Sequence, residues 1–351
     1  MSARADIGEV QTVMGAVPPH SLGLVLPHEH ILCDVTPPEL TAKRLVEVEI
    51  TPEIAHDVRY YWVRHFGNHI LMDRATCATE VARFVRAGGG TIVELTIRGM
   101  APDPLGLKRV SQETGVHIVA GTGYYIEAFA GDLIGSRTVD VLAADMICDA
   151  QSGFGATGVR AGIIGEIGVS DPWTEREQRV MRAAVLAQRE TGLAINVHPG
   201  RDPSSPFAVA RFIRAAGGDL TRLIFSHMDR TLFQADALAN LMDEGCVAEW
   251  DFFGIESSYY PFADIDLPND GQRLQLIKAL VDRGYGDRVL ISQDICTKSR
   301  LVRYGGHGYA HLPLAVVPMM QRKGFSEHAI AQITRLTPQR LLTRVAQTSA
   351  P

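Results

Sequence analysis

The stretch LVLPHEHILCD, residues 24–34, ends an apolar run with two histidines that are two positions apart. Residues i and i+2 of an extended strand point to the same face, so the imidazoles of His28 and His30 should project to one side. The apolar run meets a polar loop at this point. Paired imidazoles at a strand end are typical of half of a metal site.

Short apolar runs of this kind recur along the chain, and segments with helical spacing lie between them. Stretches such as EREQRVMRAAVLAQRETG and NDGQRLQLIKALVDRGYG each end at a glycine that can cap a helix. The repeated order of strand and then helix predicts a parallel sheet, and eight such units close most naturally into an α/β fold, the (β/α)8 TIM barrel. The predicted strands are LGLVLPHEH, GGTIVELTI, VHIVAGTGYY, AGIIGEIGV, LAINVHPG, LTRLIFSHMD, GCVAEWDFFG and RVLISQDI.

No linker divides the chain, so we expect a single domain over residues 1–351, with its core from about Val10 to Leu342. Two connections are unusually long. One runs from Asp34 to about Thr76 and contains YYWVRHF, and the other follows the eighth strand and contains KSRLVRYGGHGYAH. Because the loops after barrel strands lie over the C-terminal mouth, both are candidate walls of a binding pocket.

Composition narrows the class of protein and its partners. The 351 residues are 46% hydrophobic and carry a net charge of -6, so there is no basic surface of the kind that binds nucleic acid. No apolar stretch reaches the roughly 18 residues that span a bilayer. The N-terminal residues lack the apolar core of a secretory signal, so we expect a cytoplasmic protein without membrane or nucleic-acid partners. Five scattered cysteines indicate reduced thiols.

Residues that can bind a metal stand at the ends of the predicted strands. They are His28 and His30 on the first strand, Glu166 on the fourth, His198 on the fifth, His227 on the sixth and Asp294 on the eighth. In a barrel these ends meet at one rim, and nitrogen and oxygen ligands suit Zn²⁺, as well as Co²⁺ or Mn²⁺. Six ligands are too many for one tetrahedral zinc that keeps an open position, so two ions sharing a bridging carboxylate account for them better. Such a pair supports metal-assisted hydrolysis.

The motifs VQTVMG, LPHEH, AGIIGEIG, HPGR, SHMDR and YGGHGY, spread over residues 10–312, resemble the phosphotriesterase family of the amidohydrolase superfamily. The resemblance is to its phosphotriesterase-related branch, also called resiniferatoxin-binding proteins. The name-giving phosphotriesterases bridge their metals with a carboxylated lysine, whereas IIGEIG contains no lysine, so the family name does not imply efficient phosphotriester hydrolysis. The resemblance implies one ion held by His28, His30 and Asp294, a second held by His198 and His227, and Glu166 as the bridge.

The same resemblance implies catalytic roles for Glu166 and Asp294. Asp294 would bind a metal and accept the proton of a bridging hydroxide as the hydroxide attacks a carbonyl or phosphoryl centre. Arg201, which follows His198 in HPGR, could clamp a sulfonate, carboxylate or phosphate, although a surface salt bridge would equally explain it. Further candidates for lining the substrate cavity are Tyr124, Tyr125, Arg230, Tyr259, Tyr260, Arg303 and His307.

Three functional hypotheses follow for a small-molecule substrate. The first is a binuclear zinc amidohydrolase of a small N-acyl compound with an anionic tail, similar to the N-acetyltaurine amidases that the branch includes. The second is a lactonase or carboxylesterase with phosphotriester cleavage as a side activity. The third, from another class, is a barrel that binds a hydrophobic ligand without turning it over. Relatives are commonly dimers, so a homodimer is suggested by analogy alone.

Overall fold

The computed structural model describes residues 7–43 and 47–347. Eight parallel strands form its central sheet, in the order β12-β11-β10-β9-β8-β7-β6-β3, and two short antiparallel pairs, β1-β2 and β4-β5, lie beside that sheet. The strands are β1 (Val10–Thr12), β2 (Gly15–Val17), β3 (Leu24–Glu29), β4 (Cys33–Asp34), β5 (Ile70–Leu71), β6 (Gly89–Glu94), β7 (His117–Thr122), β8 (Ile163–Gly168), β9 (Ile195–His198), β10 (Leu223–Phe225), β11 (Val247–Trp250) and β12 (Val289–Ile291).

Helices follow the barrel strands in turn, and α7 illustrates why they form. Thr174 and Glu177 make a capping box at its start, and Gly192 adopts the left-handed conformation (φ 70°) just after its end. The α-helices are α1 (Pro38–Ala42), α2 (Ala55–Tyr60), α3 (Arg74–Arg86), α4 (Pro104–Thr114), α5 (Glu127–Ile134), α6 (Val139–Gln151), α7 (Glu175–Thr191), α8 (Ser205–Ala215), α9 (Ala235–Asp243), α10 (Asp270–Asp282), α11 (Val317–Arg322), α12 (Glu327–Ala331) and α13 (Thr337–Leu342).

The first and last barrel strands approach each other and nearly close the sheet. The backbone N–H of His28 donates to the Ser292 hydroxyl (3.1 Å), and the N–H of Asp294 donates to the carbonyl of His28 (3.2 Å). Each of the eight predicted strands is present. The prediction of an α/β (β/α)8 TIM barrel is therefore confirmed.

The barrel interior is layered along its axis. Its floor is an apolar cluster to which every barrel strand or a residue next to it contributes, together with residues of β1 and α13. This cluster contains Val10, Leu22, Val25, Val93, Leu95, Val119, Ile163, Ala194, Ile224, Val247, Leu290, Leu341 and Leu342. A buried hydrogen-bonded layer lies above this floor and consists of Asn196, Ser226 and Glu249. Each of these residues stands two positions after a floor residue, so it faces the same way.

The long connection after β3 contains α1, α2 and the β4-β5 pair, and residues 44–46 of it lie outside the described range.

The five cysteines are free thiols. Among the described residues, no helix combines the length and the apolar character that crossing a bilayer requires.

Candidate metal centre

The carboxylate of Glu166 lies at the centre of four imidazoles. Its Oε2 is 3.0 Å from Nδ1 of His198 and 3.2 Å from Nε2 of His227. Its Oε1 is 3.5 Å from Nε2 of His30 and 3.6 Å from Nε2 of His28. All five side chains are buried. Each oxygen of one carboxylate therefore faces a different pair of imidazoles.

Asp294 joins the pair of histidines from the first barrel strand. Its Oδ1 lies 3.3 Å from Nε2 of His30 and 3.8 Å from Nε2 of His28. The trio of His28, His30 and Asp294, and the trio of His28, Glu166 and His227, each bring their ligand atoms within 4.8 Å of one another. The structure thus brings the six predicted ligands together at the C-terminal mouth of the barrel.

Local irregularities in two strands aim His28 and Glu166 inward. Val25 and Ile163 belong to the apolar floor, and His28 and Glu166 each stand three positions later, where strict alternation would turn them away from the interior. The pairing of β3 shifts between Leu26 and Glu29, and that of β8 shifts between Ile164 and Ile167. Such bulges reverse the facing of the residues that follow them, and they are frequent next to active sites.

Two of the six ligands have a left-handed backbone. His227 has φ 58° and Asp294 has φ 47°, and together with Ala101 they are the non-glycine residues with positive φ between residues 7 and 347 outside the gap at 44–46. This conformation is unfavourable for residues with a Cβ, so the surrounding contacts must hold it. Both residues follow the ends of their strands, where the chain turns from the barrel into a loop.

Buried partners hold three of the imidazoles by their Nδ1 atoms, which leaves Nε2 directed at the centre. These contacts are His28 Nδ1 with Ser226 Oγ (3.0 Å) and Glu249 Oε2 (3.3 Å), His30 Nδ1 with Thr96 Oγ1 (3.0 Å), and His227 Nδ1 with Asp251 Oδ1 (2.8 Å). Metal-ligating histidines in proteins are oriented in the same way.

The donor set fits a divalent metal. Nε2 of His28 is buried and has no hydrogen-bond partner among the described residues, although it is directed at the carboxylates of Glu166 and Asp294. An unpaired buried nitrogen is costly unless something else binds it. Imidazole nitrogens and carboxylate oxygens are the ligands that Zn²⁺, Co²⁺ and Mn²⁺ accept.

His198 is oriented differently from the other three histidines. Its Nδ1 faces Glu166, and its Nε2 lies 3.2 Å from Nη2 of Arg230. Because a guanidinium only donates hydrogen bonds, Nε2 accepts here and Nδ1 carries the hydrogen. Binding of a metal by His198 therefore requires loss or transfer of that proton, or a rotation of the ring.

The opposite charges of the centre shift one another's pKa values. Burial opposes ionisation of Glu166, but the charge of His28 and hydrogen bonds from His198 and His227 hold the pKa of the carboxyl well below its usual range. Burial likewise disfavours the imidazolium of His30, but Asp294 and Glu166 raise its pKa to about 9.

We expect the affinity for Zn²⁺ to rise with pH. A metal ligand must be unprotonated, so below pH 9 binding displaces a proton from His30. For each displaced proton the dissociation constant should fall about tenfold per pH unit between pH 7 and 9. Competition with a chelator of known affinity measures this slope. His117→Gln, at the start of β7, should keep the slope, and a constant affinity would contradict the expectation.

The centre opens into a cavity of about 320 Å³, within the size range of small-molecule sites. Four of the predicted substrate residues, Tyr125, Arg201, Arg230 and Tyr260, line it. Their neighbours include Trp62, Met100, Phe129, Phe262 and Arg300. The cavity is therefore largely apolar and aromatic, with arginines beside the carboxylates of the centre.

Arg201 is a cation without a carboxylate partner in the described part of the chain. Its Nε donates to the hydroxyl of Tyr260 (3.1 Å), and its guanidinium carbon lies 4.5 Å from the ring centroid of Phe262. Arg230 donates through Nη2 to the carbonyl of Pro199 (3.0 Å). Both guanidinium groups are thus fixed by uncharged groups.

The other predicted substrate residues, Tyr124, Tyr259, Arg303 and His307, lie outside this cavity. Tyr124 is fully buried, and its hydroxyl donates to Asp145 on α6, so it packs beneath the loop that follows β7. Tyr259 and His307 line a neighbouring pocket instead, where Tyr259 stacks on Tyr60 (ring centroids 5.6 Å apart). Of the two tyrosines predicted in the loop after β11, only Tyr260 lines the cavity.

Sequence reasoning missed Arg300, a buried arginine beside the centre. Its Nη1 lies 3.5 Å from Oδ2 of Asp294 and donates to the carbonyl of the same residue, and its guanidinium carbon is 5.5 Å from the ring centroid of Trp62. The available signal was its position in KSR, six residues after Asp294 in the long loop after the last strand.

Comparisons with known proteins show which proteins this chain is similar to. An N-acetyltaurine hydrolase of Bos taurus is 37% identical over 96% of this chain and 98% of that protein. A resiniferatoxin-binding protein from Rhodobacter sphaeroides has a similar structure, with a TM-score of 0.90, 33% identity and 95% coverage of both chains. A phosphotriesterase homology protein from Escherichia coli, with phosphate in its active site, gives 0.76, 29% identity, and coverage of 92% of this chain and 99% of that one.

The family model described as the phosphotriesterase family matches residues 8–342. This range contains the barrel, the six residues of the centre and the cavity above them. The chain therefore belongs to the phosphotriesterase family and is a metal-dependent hydrolase.

Proposed function

We propose that this protein is a single-domain, binuclear amidohydrolase that cleaves a small N-acyl compound with an anionic tail, N-acetyltaurine or a close analogue. One observation carries the proposal: the Glu166 centre lines the same cavity as the Arg201 guanidinium, which has no carboxylate partner among the described residues. The first arrangement suits attack on a carbonyl group, and the second suits recognition of an anion. The similarity to N-acetyltaurine hydrolases over nearly the whole chain supports the choice of amide.

The proposed ions are two Zn²⁺, with Co²⁺ or Mn²⁺ as substitutes. When bound, they would lower the pKa of water and polarise the carbonyl oxygen of the substrate. The two carboxylate oxygens of Glu166 face different pairs of imidazoles, which supports its role as the bridge. We assign His28, His30 and Asp294 to one ion, His198 and His227 to the other, and Glu166 to both.

Asp294 is the proposed proton acceptor. Burial disfavours its ionised form, but the hydrogen bond from His30 and the charges of Arg300 and His28 hold its pKa well below its usual range. The carboxylate is therefore ionised at neutral pH and can take a proton from the attacking water. Arg300 donates to the backbone carbonyl of Asp294 and contacts Oδ2 of its carboxylate, whereas His30 contacts Oδ1.

Arg201 is the proposed anchor of the anionic tail. Tyr260 and Phe262 fix its Nε and one face, and its terminal nitrogens have no hydrogen-bond partner among the described residues. A sulfonate or carboxylate offers oxygens spaced for two parallel hydrogen bonds to such a fork. The tail would then hold the amide at a set distance from the Glu166 centre.

Arg201→Ala should raise KM for N-acetyltaurine about 10- to 100-fold, because charge-assisted hydrogen bonds contribute about 1.5–3 kcal/mol. Hydrolysis of a neutral lactone should change less than about twofold, since such a substrate has no anionic group for the arginine. Steady-state kinetics on both substrates test this. The matched control is Arg303→Ala, an exposed arginine outside the cavity, which should leave both unchanged. Equal effects of Arg201→Ala on both substrates would remove the assignment.

The experiment that tests the proposed function compares kcat/KM of the metal-replete enzyme for N-acetyltaurine, other N-acetyl amino acids, a lactone series and a phosphotriester. A clear preference for an anionic amide supports the proposal. A preference for neutral lactones would replace it with the lactonase hypothesis. Ligand binding without hydrolysis of any substrate would favour the binding barrel. The cytoplasmic location and the homodimer stay predictions.

A further inference from the structure

Asp229, in the motif SHMDR, has no place in the proposed chemistry, yet it is fully buried beside the centre. Its partner is Arg273 of α10, whose side chain is also fully buried. Arg273 donates through Nε to Oδ1 of Asp229, through Nη1 to Oδ1 of Asp270 (2.8 Å) and through Nη2 to the carbonyl of Ile255 (3.0 Å). One guanidinium therefore joins α10 to the loops that follow β10 and β11.

On one side, this contact leads to His227. Oδ2 of Asp229 accepts the backbone N–H of Asp251 (2.8 Å) and of Phe252 (3.3 Å). The carboxylate of Asp251 in turn accepts the backbone N–H of His227 (2.9 Å) and contacts its Nδ1 (2.8 Å). The unfavourable left-handed backbone of His227 is thus held by a carboxylate whose own position depends on Asp229.

On the other side, the contact leads to the cavity wall. The carbonyl of Ile255 accepts from Arg273, and the N–H of Gly254 donates to Asp270 (2.9 Å), the other acid that Arg273 holds. The same loop continues to Tyr260 and Phe262, which fix Arg201. Without Arg273, Asp229 would lose the group that fixes it, so the contacts that support His227 would weaken. The start of the loop that carries Tyr260 and Phe262 would lose its hydrogen bond at Ile255.

A purely structural ion pair would not need this arrangement. Buried ion pairs contribute little net stability, because desolvation offsets the attraction, whereas breaking one leaves an uncompensated charge. Arg98 and Asp149 make a partly buried ion pair (2.8 Å) elsewhere in the barrel, with the Arg98 side chain 27% exposed, and neither residue lines the cavity. Arg273 differs because two of its acceptors, Asp229 and the carbonyl of Ile255, lie on separate loops. The first loop carries the proposed metal ligand His227, and the second carries Tyr260.

We propose that Arg273 is a positioning residue that couples binding of a cation at His227 to the order of residues 252–262. The inference rests on the proposed metal-binding role of His227. Because coupling between two sites is reciprocal, an ordered loop would also raise the affinity of the centre for the metal. The expected consequence is that a metal and the anionic tail of a substrate bind cooperatively.

Hydrogen exchange of the full-length protein, with and without Zn²⁺, tests the coupling. In the native protein, Zn²⁺ should slow exchange in peptides that cover residues 252–262. In Arg273→Met this Zn²⁺-dependent protection should disappear, and the dissociation constant for Zn²⁺ should rise about 10- to 100-fold, as for other losses of support behind a metal ligand. Chelator competition measures that constant without any substrate.

Two further variants make the result decisive. Arg98→Met breaks the comparison ion pair, so it should lower the melting temperature but keep Zn²⁺ affinity and loop protection within about twofold of the native protein. Should Arg273→Met fail to fold, Asp229→Asn tests the same contact, because its amide keeps the shape but turns a donor toward Arg273.

Native-like affinity and protection in a folded Arg273 or Asp229 variant would overturn the inference, as would a native loop that does not respond to bound Zn²⁺. A native protein that binds no Zn²⁺ would overturn the metal assignment itself. A protein that binds Zn²⁺ and shows the coupling, but does not hydrolyse N-acyl compounds, would support this inference while removing the proposed substrate.

Discussion

Glu166→Gln is expected to lower kcat/KM for N-acetyltaurine by about 10³-fold or more and to reduce the metal content of the purified protein. The amide is neutral and offers only one oxygen, whereas the carboxylate places an oxygen within 3.6 Å of each of four imidazoles. Elemental analysis of the protein, together with kinetics in excess Zn²⁺, measures both losses.

Asp149→Asn is a matched control for this prediction. Asp149 is also a buried carboxylate, but it pairs with Arg98 and Thr122 outside the cavity, so its loss should cost stability and leave metal content and kcat/KM within about twofold. If Glu166→Gln kept both ions and a tenth of the native activity, the bridging role would be wrong. Retained binding of a hydrophobic ligand by the metal-free variant would favour the binding barrel.

The fold and the convergence of the ligands were predictable because both follow from alternation along strands. In β9 and β12, side chains at every second position lead from the apolar floor through the polar layer to His198 and Asp294. A chain that repeats strand and helix eight times brings such strand ends to one rim. The two-residue alternation in the sequence is therefore enough to predict that His198 and Asp294 face the barrel interior.

Glu166 and His28 show where alternation stops being sufficient. Each lies three positions beyond a residue of the apolar floor, so the pattern alone would point it outward. The bulges that turn these residues inward depend on pairing with neighbouring strands, which no local sequence signal specifies. Glu166 was inferred from its residue type at a strand end and from resemblance, neither of which depends on facing. For His28, the sequence also predicted a face shared with His30.

The substrate side of the cavity was less predictable because loops build it. Arg201 stands three residues after a ligand, so the strand that ends in His198 fixes its place. Arg300 and Trp62 come from long loops without periodicity, and their approach depends on how those loops pack on each other. The same limit explains why Tyr260 lines the cavity instead of the adjacent Tyr259: without a strand, there is no rule for which neighbour faces inward.

Asp294→Asn should lower kcat by about 10²- to 10⁴-fold with little change in KM, which separates proton transfer from metal binding. The amide keeps an oxygen for a metal and for the hydrogen bond from His30, but it cannot accept the proton of the attacking water. Kinetics and elemental analysis on the same preparation measure the two functions separately.

The sign of the pH dependence distinguishes the native enzyme from this variant. The pKa of Asp294 is held well below its usual range, so the native carboxylate should be ionised, and its acceptor role intact, throughout neutral pH. Activity that depends on it should fall only in strong acid, provided that the metal is still bound there. Asp294→Asn has no such group, so its residual kcat should follow hydroxide concentration and rise with pH, and added hydroxide should partly restore the rate. A variant that kept its metal and lost less than about tenfold in kcat would mean that another group accepts the proton, and Asp294 would then be a metal ligand alone.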